Sequence, residues 1–165
     1  MGGGHAKTNR TSAAEFNIWK DPEAAQIVLT SGCDVLLIPL DATHEGDVTL
    51  EESKEIRDFG TPVAVAVSDL LDQRIKAYDT FQPQKIAGST PPHDAIVVAA
   101  VIDPEVLQDV CWCRVDVDFS GGICDGRTQV DCRVYPDHPK NIHMAFGCDR
   151  ERFVKLLKDT IKLAK

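Results

Sequence analysis

Apolar residues recur along this chain first at helical spacing and later with period two, and the two patterns predict different kinds of secondary structure. In the first two thirds, apolar residues recur at helical spacing behind segments that carry helix-start signals. Asp21-Pro22, the capping box Thr49-Leu-Glu-Glu52 and Thr61-Pro62 are each expected to begin a helix. The first of these helices is expected to stop at Gly32 and the second at Gly60.

The third helix is expected to run to Tyr78, although its valine content leaves a partial strand open as an alternative. Residues 79–92 contain three prolines and are predicted to form a loop. The apolar run from Ala95 to Ile102 then ends at Asp103-Pro104.

Strand patterns are concentrated in the last third. The short apolar run Val35–Pro39 predicts one earlier strand, covered on both faces. Residues 111–119 and 127–134 alternate with period two on either side of a glycine-rich turn, which predicts a hairpin. Residues 141–146 are expected to form another strand, and residues 150–165 an amphipathic helix. The interleaving predicts an α/β fold: a Rossmann-like layered sheet with flanking helices plus an antiparallel hairpin.

Composition narrows the class of protein. A chain of 165 residues with 43% hydrophobic and 27% charged residues is typical of one globular domain, expected over residues 1–165. The net charge of −8 argues against nucleic acid and anionic membranes as partners. Charged residues interrupt every apolar run, and the N-terminus lacks a signal-peptide pattern, so we expect a cytoplasmic protein with no membrane span.

Cysteine chemistry is not expected from the spacing. No Cys-x-x-Cys pair occurs, which argues against a zinc site. We therefore expect the cysteines to be small buried apolar residues rather than disulfide partners or metal ligands. The six are Cys33, Cys111, Cys113, Cys124, Cys132 and Cys148.

The polar residues ahead of the first helix are the strongest candidates for ligand binding. Asn9, Glu15 and Asn17 are expected on an irregular segment, where a carboxylate and two amides could pair with the donors and acceptors of a sugar. The alternative is that these side chains cap the following helix. Phe16 and Trp19 are expected to be packing residues, although Phe16 could line a sugar pocket.

Three motifs together resemble the inosine–uridine-preferring nucleoside hydrolases. Asn9, followed by Ala14-Glu-Phe-Asn17 and Asp21-Pro-Glu-Ala-Ala25, resembles the sugar-binding signature of that family. The segment Cys33–Thr43 resembles its next strand with the ending Pro-Leu-Asp-x-Thr. Pro92-His-Asp-Ala95 resembles the His-Asp pair that opens a later helix.

This resemblance implies hydrolysis of the N-glycosidic bond of ribonucleosides, with inosine or uridine as the class of substrate and nucleoside salvage as the context. Asn9 and Glu15 would hold the ribose 5′-hydroxyl end, and Asn17 the 2′/3′-hydroxyl side. His93 would be the general acid for the departing base, titrating near neutrality. Asp94 would bind a calcium ion that holds the attacking water. Tyr78 and Phe81 lie where the family has a mobile flap and could stack on the base.

The family's Asp-rich N-terminal signature, which provides most calcium ligands, does not occur in this chain. The resemblance therefore covers only the C-terminal part of the family domain, and we expect one partial nucleoside hydrolase domain that is incomplete for catalysis. One chain of a split enzyme, completed by a missing N-terminal half, is an alternative. A non-catalytic module that binds ribosyl ligands or other proteins is another. Homo-oligomers are common in the family, so a homo-oligomer is a possible assembly of this chain.

Overall fold

The structure is a computed structural model that describes residues 1–164. Seven α-helices occur in this range: α1 (Phe16–Lys20), α2 (Pro22–Leu29), α3 (Leu40–Thr43), α4 (Leu50–Arg57), α5 (Pro62–Phe81), α6 (His93–Ile102) and α7 (Arg150–Leu163). The strands of the same range are β1 (Leu36–Leu37), β2 (Val48–Thr49), β3 (Ser89–Thr90), β4 (Leu107–Gln108), β5 (Cys111–Val117), β6 (Thr128–Asp131), β7 (Ile142–Met144) and β8 (Gly147–Cys148). A 3-10 turn, Pro104–Val106, follows α6.

The chain forms two compact units, each built from two segments. The first unit contains residues 1–42 and 107–147, and the second contains residues 43–106 together with the chain from residue 148 onward. The prediction of a single domain over residues 1–165 stays a prediction.

The first unit is organised around a four-stranded mixed sheet. Its strand order is β1-β7-β5-β6, with β1 parallel to β7 and the other neighbours antiparallel. Alternate residues of β5 point into the core, where Val115 and Val117 pack with Ile18, Leu29 and Met144. The short helices α1 and α2 thus cover this sheet while carrying the polar segment that precedes them.

The second unit is mainly helical. Helices α4 and α5 pack against each other, and α7 contacts α4, α5 and α6. Strands β2 and β3 form a short antiparallel pair beside α5. Buried apolar side chains such as Ile56, Ile75, Ile96 and Phe153 fill the interior of this unit. Helix α6, which begins at His93, is thus anchored in this unit through the buried Ile96.

The predicted α/β class is confirmed, and so are the predicted helix starts. Asp21 caps α2 by accepting a hydrogen bond from Ala24 N, and Thr49 and Glu52 form the reciprocal capping box of α4. The hairpin is present as β5 and β6. Within residues 1–164, no helix combines the length and the apolar character that a bilayer crossing requires.

Five details of the sequence prediction were wrong. The strand β1 is only two residues long, and Leu36 is 48% exposed rather than covered, because β1 lies at an edge of its sheet. Helix α5 continues through Phe81 into the expected loop, and the segment ahead of α2 contains the helix α1. The predicted C-terminal helix ends at Leu163, and residue 165 lies outside the described residues.

The fifth concerns the cysteines. Only Cys113 and Cys148 are buried, Cys124 is half-buried, and Cys33, Cys111 and Cys132 are exposed. Cys111 is the first residue of β5, and Cys33, Cys124 and Cys132 lie outside the strands, so only Cys113 and Cys148 reach the packed interior.

Candidate functional site

Glu15 is the organising residue of the polar segment in the first unit. Its side chain is only 3% exposed and N-caps α1. Oε2 accepts hydrogen bonds from the backbone amides of Gly3 (2.9 Å) and Ile18 (3.3 Å), and both carboxylate oxygens lie 2.9 Å from Asn17 N. A buried carboxylate is tolerated here because backbone donors surround it. Glu15 therefore holds together the N-terminal glycines and the first turn of α1.

The glycine-rich turn is held from its other side by two residues to which the sequence analysis gave no role. Thr128, at the start of β6, accepts from Gly4 N (2.9 Å) and donates to Gly4 O (2.6 Å) through its hydroxyl. The carboxylate of Asp41 accepts from His5 N (2.6 Å) and Ala6 N (2.9 Å). The Pro-Leu-Asp motif could have indicated a role for Asp41 from the sequence. No motif surrounds Thr128, whose partner Gly4 lies 124 residues away.

Asn9, Phe16 and Asn17 lie around Glu15. Asn9 Oδ1 accepts from Phe16 N at 2.8 Å, and Asn17 Nδ2 points to the Met1 carbonyl oxygen at 3.3 Å. Among residues 1–164, no partner occupies the Nδ2 group of Asn9 or the Oδ1 atom of Asn17. The Phe16 ring is 50% exposed and lies 6.2 Å from Trp19 between ring centroids. One amide donor, one amide carbonyl and one ring face thus stay available to a polar ligand.

A second group of polar side chains surrounds His93 in the second unit. The Thr43 hydroxyl lies 2.7 Å from His93 Nδ1, and the Tyr78 hydroxyl lies 2.6 Å from His93 Nε2. Helix α6 begins at His93, α3 ends at Thr43, and Tyr78 faces inward near the end of α5. Three helix termini therefore converge on one imidazole, and both of its nitrogens are engaged.

Burial determines the protonation of this group. Desolvation, followed by the charge of Arg74, lowers the pKa of His93 to about 4. The pKa of His93 thus lies below the near-neutral value expected from the sequence, because the half-buried imidazole has lost part of its hydration. Burial also raises the pKa of Tyr78, against the opposing effect of Arg74. At neutral pH the pair is an uncharged imidazole, with one N–H and one acceptor nitrogen, beside an intact phenol.

Arg74 and His44 complete the surroundings of Tyr78 and His93. Arg74 lies one helical turn before Tyr78, with its guanidinium 5.2 Å from the ring centroid and Nη2 3.3 Å from the hydroxyl. The ring centroid of the buried His44 lies 5.4 Å from that of His93. His44 therefore packs against His93 in the interior of this unit. Arg74 lies four residues before Tyr78 on one helix, and this spacing could have indicated their contact from the sequence.

Phe81 and Asp94 are more exposed than the two hydroxyl side chains that hydrogen-bond to His93. Phe81 is the last residue of α5 and is 86% exposed. Asp94 is exposed in the first turn of α6, and α6 has no side-chain cap. Within the described residues, no three histidine, cysteine, aspartate or glutamate side chains are grouped so as to hold a metal ion. Asp94 alone does not provide the six to eight oxygen ligands of calcium.

Comparison with known proteins gives consistent matches. A family described as inosine-uridine preferring nucleoside hydrolase matches residues 1–155. The pyrimidine-specific ribonucleoside hydrolases RihA of Shigella boydii and of Escherichia coli K12 are each 37% identical over 163 residues, which cover 98% of this chain and 51% of each relative. The chain thus spans about half the length of the curated relatives that it matches.

Solved structures agree with this result. A purine-preferring ribonucleoside hydrolase from Gardnerella vaginalis has a TM-score of 0.85 at 34% identity, over 98% of this chain and 50% of that one. An inosine-guanosine nucleoside hydrolase at 24% identity has a TM-score of 0.82 and supports the same fold.

Proposed function

Because the chain belongs to the inosine-uridine preferring nucleoside hydrolase family, we propose that it supplies sugar-holding and proton-donating residues for hydrolysis of the N-glycosidic bond of ribonucleosides. In this reaction the bond from C1′ to the base nitrogen breaks, a water oxygen bonds to C1′, and the base leaves with a proton. The observation that carries the proposal is the hydrogen-bonded chain Thr43–His93–Tyr78, which can deliver that proton.

The proposed proton path fits a neutral imidazole. The Thr43 hydroxyl donates to Nδ1, the Nε2–H of His93 donates to the Tyr78 oxygen, and the Tyr78 hydroxyl donates to the departing base. Tyr78 passes its hydroxyl proton to the base and takes the Nε2 proton of His93, and the proton that the attacking water gives up restores the ring, so that Thr43 only fixes the tautomer and keeps its own proton. The lowered pKa of His93 supports this path, since a neutral ring can donate at one nitrogen while it accepts at the other.

The proposed ribose contacts come from Asn9, Glu15 and Asn17. Asn9 Nδ2 can donate to a hydroxyl oxygen and Asn17 Oδ1 can accept a hydroxyl proton. Glu15 already accepts three backbone amides, so its contribution is mainly to position Asn17 and the glycines. Interactions that strengthen as positive charge develops on the ribose lower the barrier. Phe16 would line the sugar, and the exposed ring of Phe81 would stack on the base.

Calcium does not fit this chain alone. One exposed carboxylate, Asp94, falls short of a calcium shell, so we route no step through the ion. We propose that Asp94 contributes one ligand, with the others supplied by residues outside this chain. The proposed setting is nucleoside salvage in the cytoplasm, and inosine or uridine is the proposed class of substrate.

The test is ribose release from inosine and from uridine, with and without added calcium. His93→Ala and Tyr78→Phe are expected to reduce release by about 10²–10⁴-fold, as removal of an acid does. Asn17→Ala is expected to raise KM as well as lower kcat. His138→Ala changes an exposed imidazole outside both groups and is the matched control, expected to leave the rate unchanged.

The second candidate is a ribosyl-binding or protein-interaction module without catalysis. The incomplete metal ligand set favours it. Binding of inosine or ribose that depends on Asn17, with no ribose released, would support this candidate against the first. If the chain does not bind nucleosides, the second candidate fails, and ribose release that is unaffected by His93→Ala and Tyr78→Phe would contradict the proposed proton path.

A further inference from the structure

Cys113 and Cys132 occupy opposed positions on the β5–β6 hairpin. The register pairs Arg114 with Asp131 as the last residues of the ladder. Continuing the antiparallel register by one residue places Cys132, which follows β6 directly, opposite Cys113. Their side chains therefore share one face of the hairpin.

The hydrogen-bond pattern shows which type of pair this is. Asp118 N donates to Arg127 O at 2.9 Å, so even-numbered residues of β5 bond to β6. The Cys113 carbonyl points the other way and accepts from Asn141 N at 3.0 Å. Cys113 and Cys132 are thus a non-hydrogen-bonded pair, in which Cα atoms lie about 4.5 Å apart. A disulfide spans Cα separations of about 4.4–6.8 Å.

The two thiols differ in their surroundings. Cys113 is fully buried, and burial, followed by the nearby Cys132 and Cys111, raises the pKa of its thiol to about 11. Cys132 is exposed. An oxidant in solution therefore meets Cys132 first, and Cys113 lies beneath it as a protected second thiol.

We propose that Cys113 and Cys132 form an oxidisable dithiol, a modification site that a hydroperoxide converts to a disulfide. The Cys132 thiolate attacks the peroxide, the O–O bond breaks, and a sulfenic acid forms as the alcohol or water leaves. The Cys113 sulfur then attacks that sulfenic sulfur, an S–S bond forms, and water leaves with the Cys113 proton. The two thiols lose two electrons and the peroxide gains them.

Cys111 is the nearest competitor. It lies two residues from Cys113 on the same strand and is exposed. Its position is diagonal to Cys132, where cross-strand separations are about 7–8 Å, beyond the disulfide range. The geometry therefore selects Cys113 although Cys111 is more accessible.

The test is peptide mapping of the folded 165-residue chain after brief treatment with hydrogen peroxide and blocking of the remaining thiols. Cleavage after lysine and arginine separates residues 86–114, with Cys111 and Cys113, from residues 128–133, with Cys132. We expect these two peptides to be joined, with a mass about 2 Da below their sum, and dithiothreitol to separate them. Cys132→Ser and Cys113→Ala should abolish the product.

Cys111→Ser and Cys124→Ser are the matched controls and should retain the cross-link. The inference is overturned if the cross-link depends on Cys111 rather than Cys113, or joins the peptide of Cys124. It is equally overturned if Cys132 accumulates as sulfinic acid without cross-linking in the folded chain. Since this readout involves no nucleoside, it is independent of the proposed function.

Discussion

The imidazole of His93 shows how burial changes the chemistry of one residue. As a free side chain it would titrate near pH 6.5, whereas in the folded chain burial and Arg74 lower the pKa to about 4. Nothing in the Pro92-His-Asp-Ala95 segment carries this information. The side chains that surround the ring, Thr43 and Tyr78, lie 50 and 15 residues away in the sequence.

This difference in pKa predicts a pH dependence of stability. Between about pH 6.5 and pH 4 the unfolded chain binds a proton at His93 that the folded chain does not bind. The free energy of unfolding therefore falls as the pH is lowered through this window, by at most about 3 kcal/mol from this residue. Urea unfolding at pH 7 and near pH 4, in the wild type and in His93→Gln, measures the contribution.

The wild type should lose more stability than His93→Gln over the same change of pH. The carboxylates that titrate in this range are present in both proteins, so their contribution cancels in the difference. Equal losses in the two proteins would mean that His93 is not held in its neutral form.

Elements were predictable where their signals are local. The helix starts at Asp21 and Thr49 depend on side chains that reach amides three residues away, and both were found. The hairpin could be predicted from alternation and glycines. The two-residue strands β2 and β3 were not predicted, because each exists only through a distant partner, as Val48 does through Thr90. For the same reason Asn9 and Glu15 could be proposed as site residues from the sequence, while the contacts of Glu15 and Thr128 with the glycines could not.

The hairpin turn provides a prediction at this scale. Gly126 has a φ of 79° and approaches helix α1: a Cβ built there would lie 2.7 Å from Trp19 Cα. Gly121, in the same turn, has a φ of 72°, but a Cβ there would meet nothing within 4 Å. Gly121→Ala should therefore cost about 1 kcal/mol from backbone strain alone.

Gly126→Ala should cost about 3 kcal/mol or more, since the backbone of α1 cannot move aside as a flexible side chain can. Urea unfolding of both variants measures the difference. Equal costs would indicate that the turn and α1 are not in close contact in solution.

At the scale of the whole molecule, strand β1 forms an open edge of the four-stranded sheet. Strand β1 bonds to β7 through the carbonyls of Val35 and Leu37, which accept from His143 N and Ala145 N at 3.0 Å. The peptide groups of Leu36 face the opposite side. Gly2 N donates to Ile38 O at 3.3 Å and covers only the end of this edge. An apolar strand with exposed peptide groups can pair with another chain.

We therefore expect the purified chain to self-associate and to elute on size exclusion well above its mass of 18.1 kDa. Leu36→Lys places a charge on the edge and should shift the protein toward the monomer, because pairing would bury that charge. Ile123→Lys makes the same chemical change at a residue that is 92% exposed in the hairpin turn, and should shift it much less. A monomeric wild type, or equal shifts from the two variants, would show that the β1 edge does not drive association.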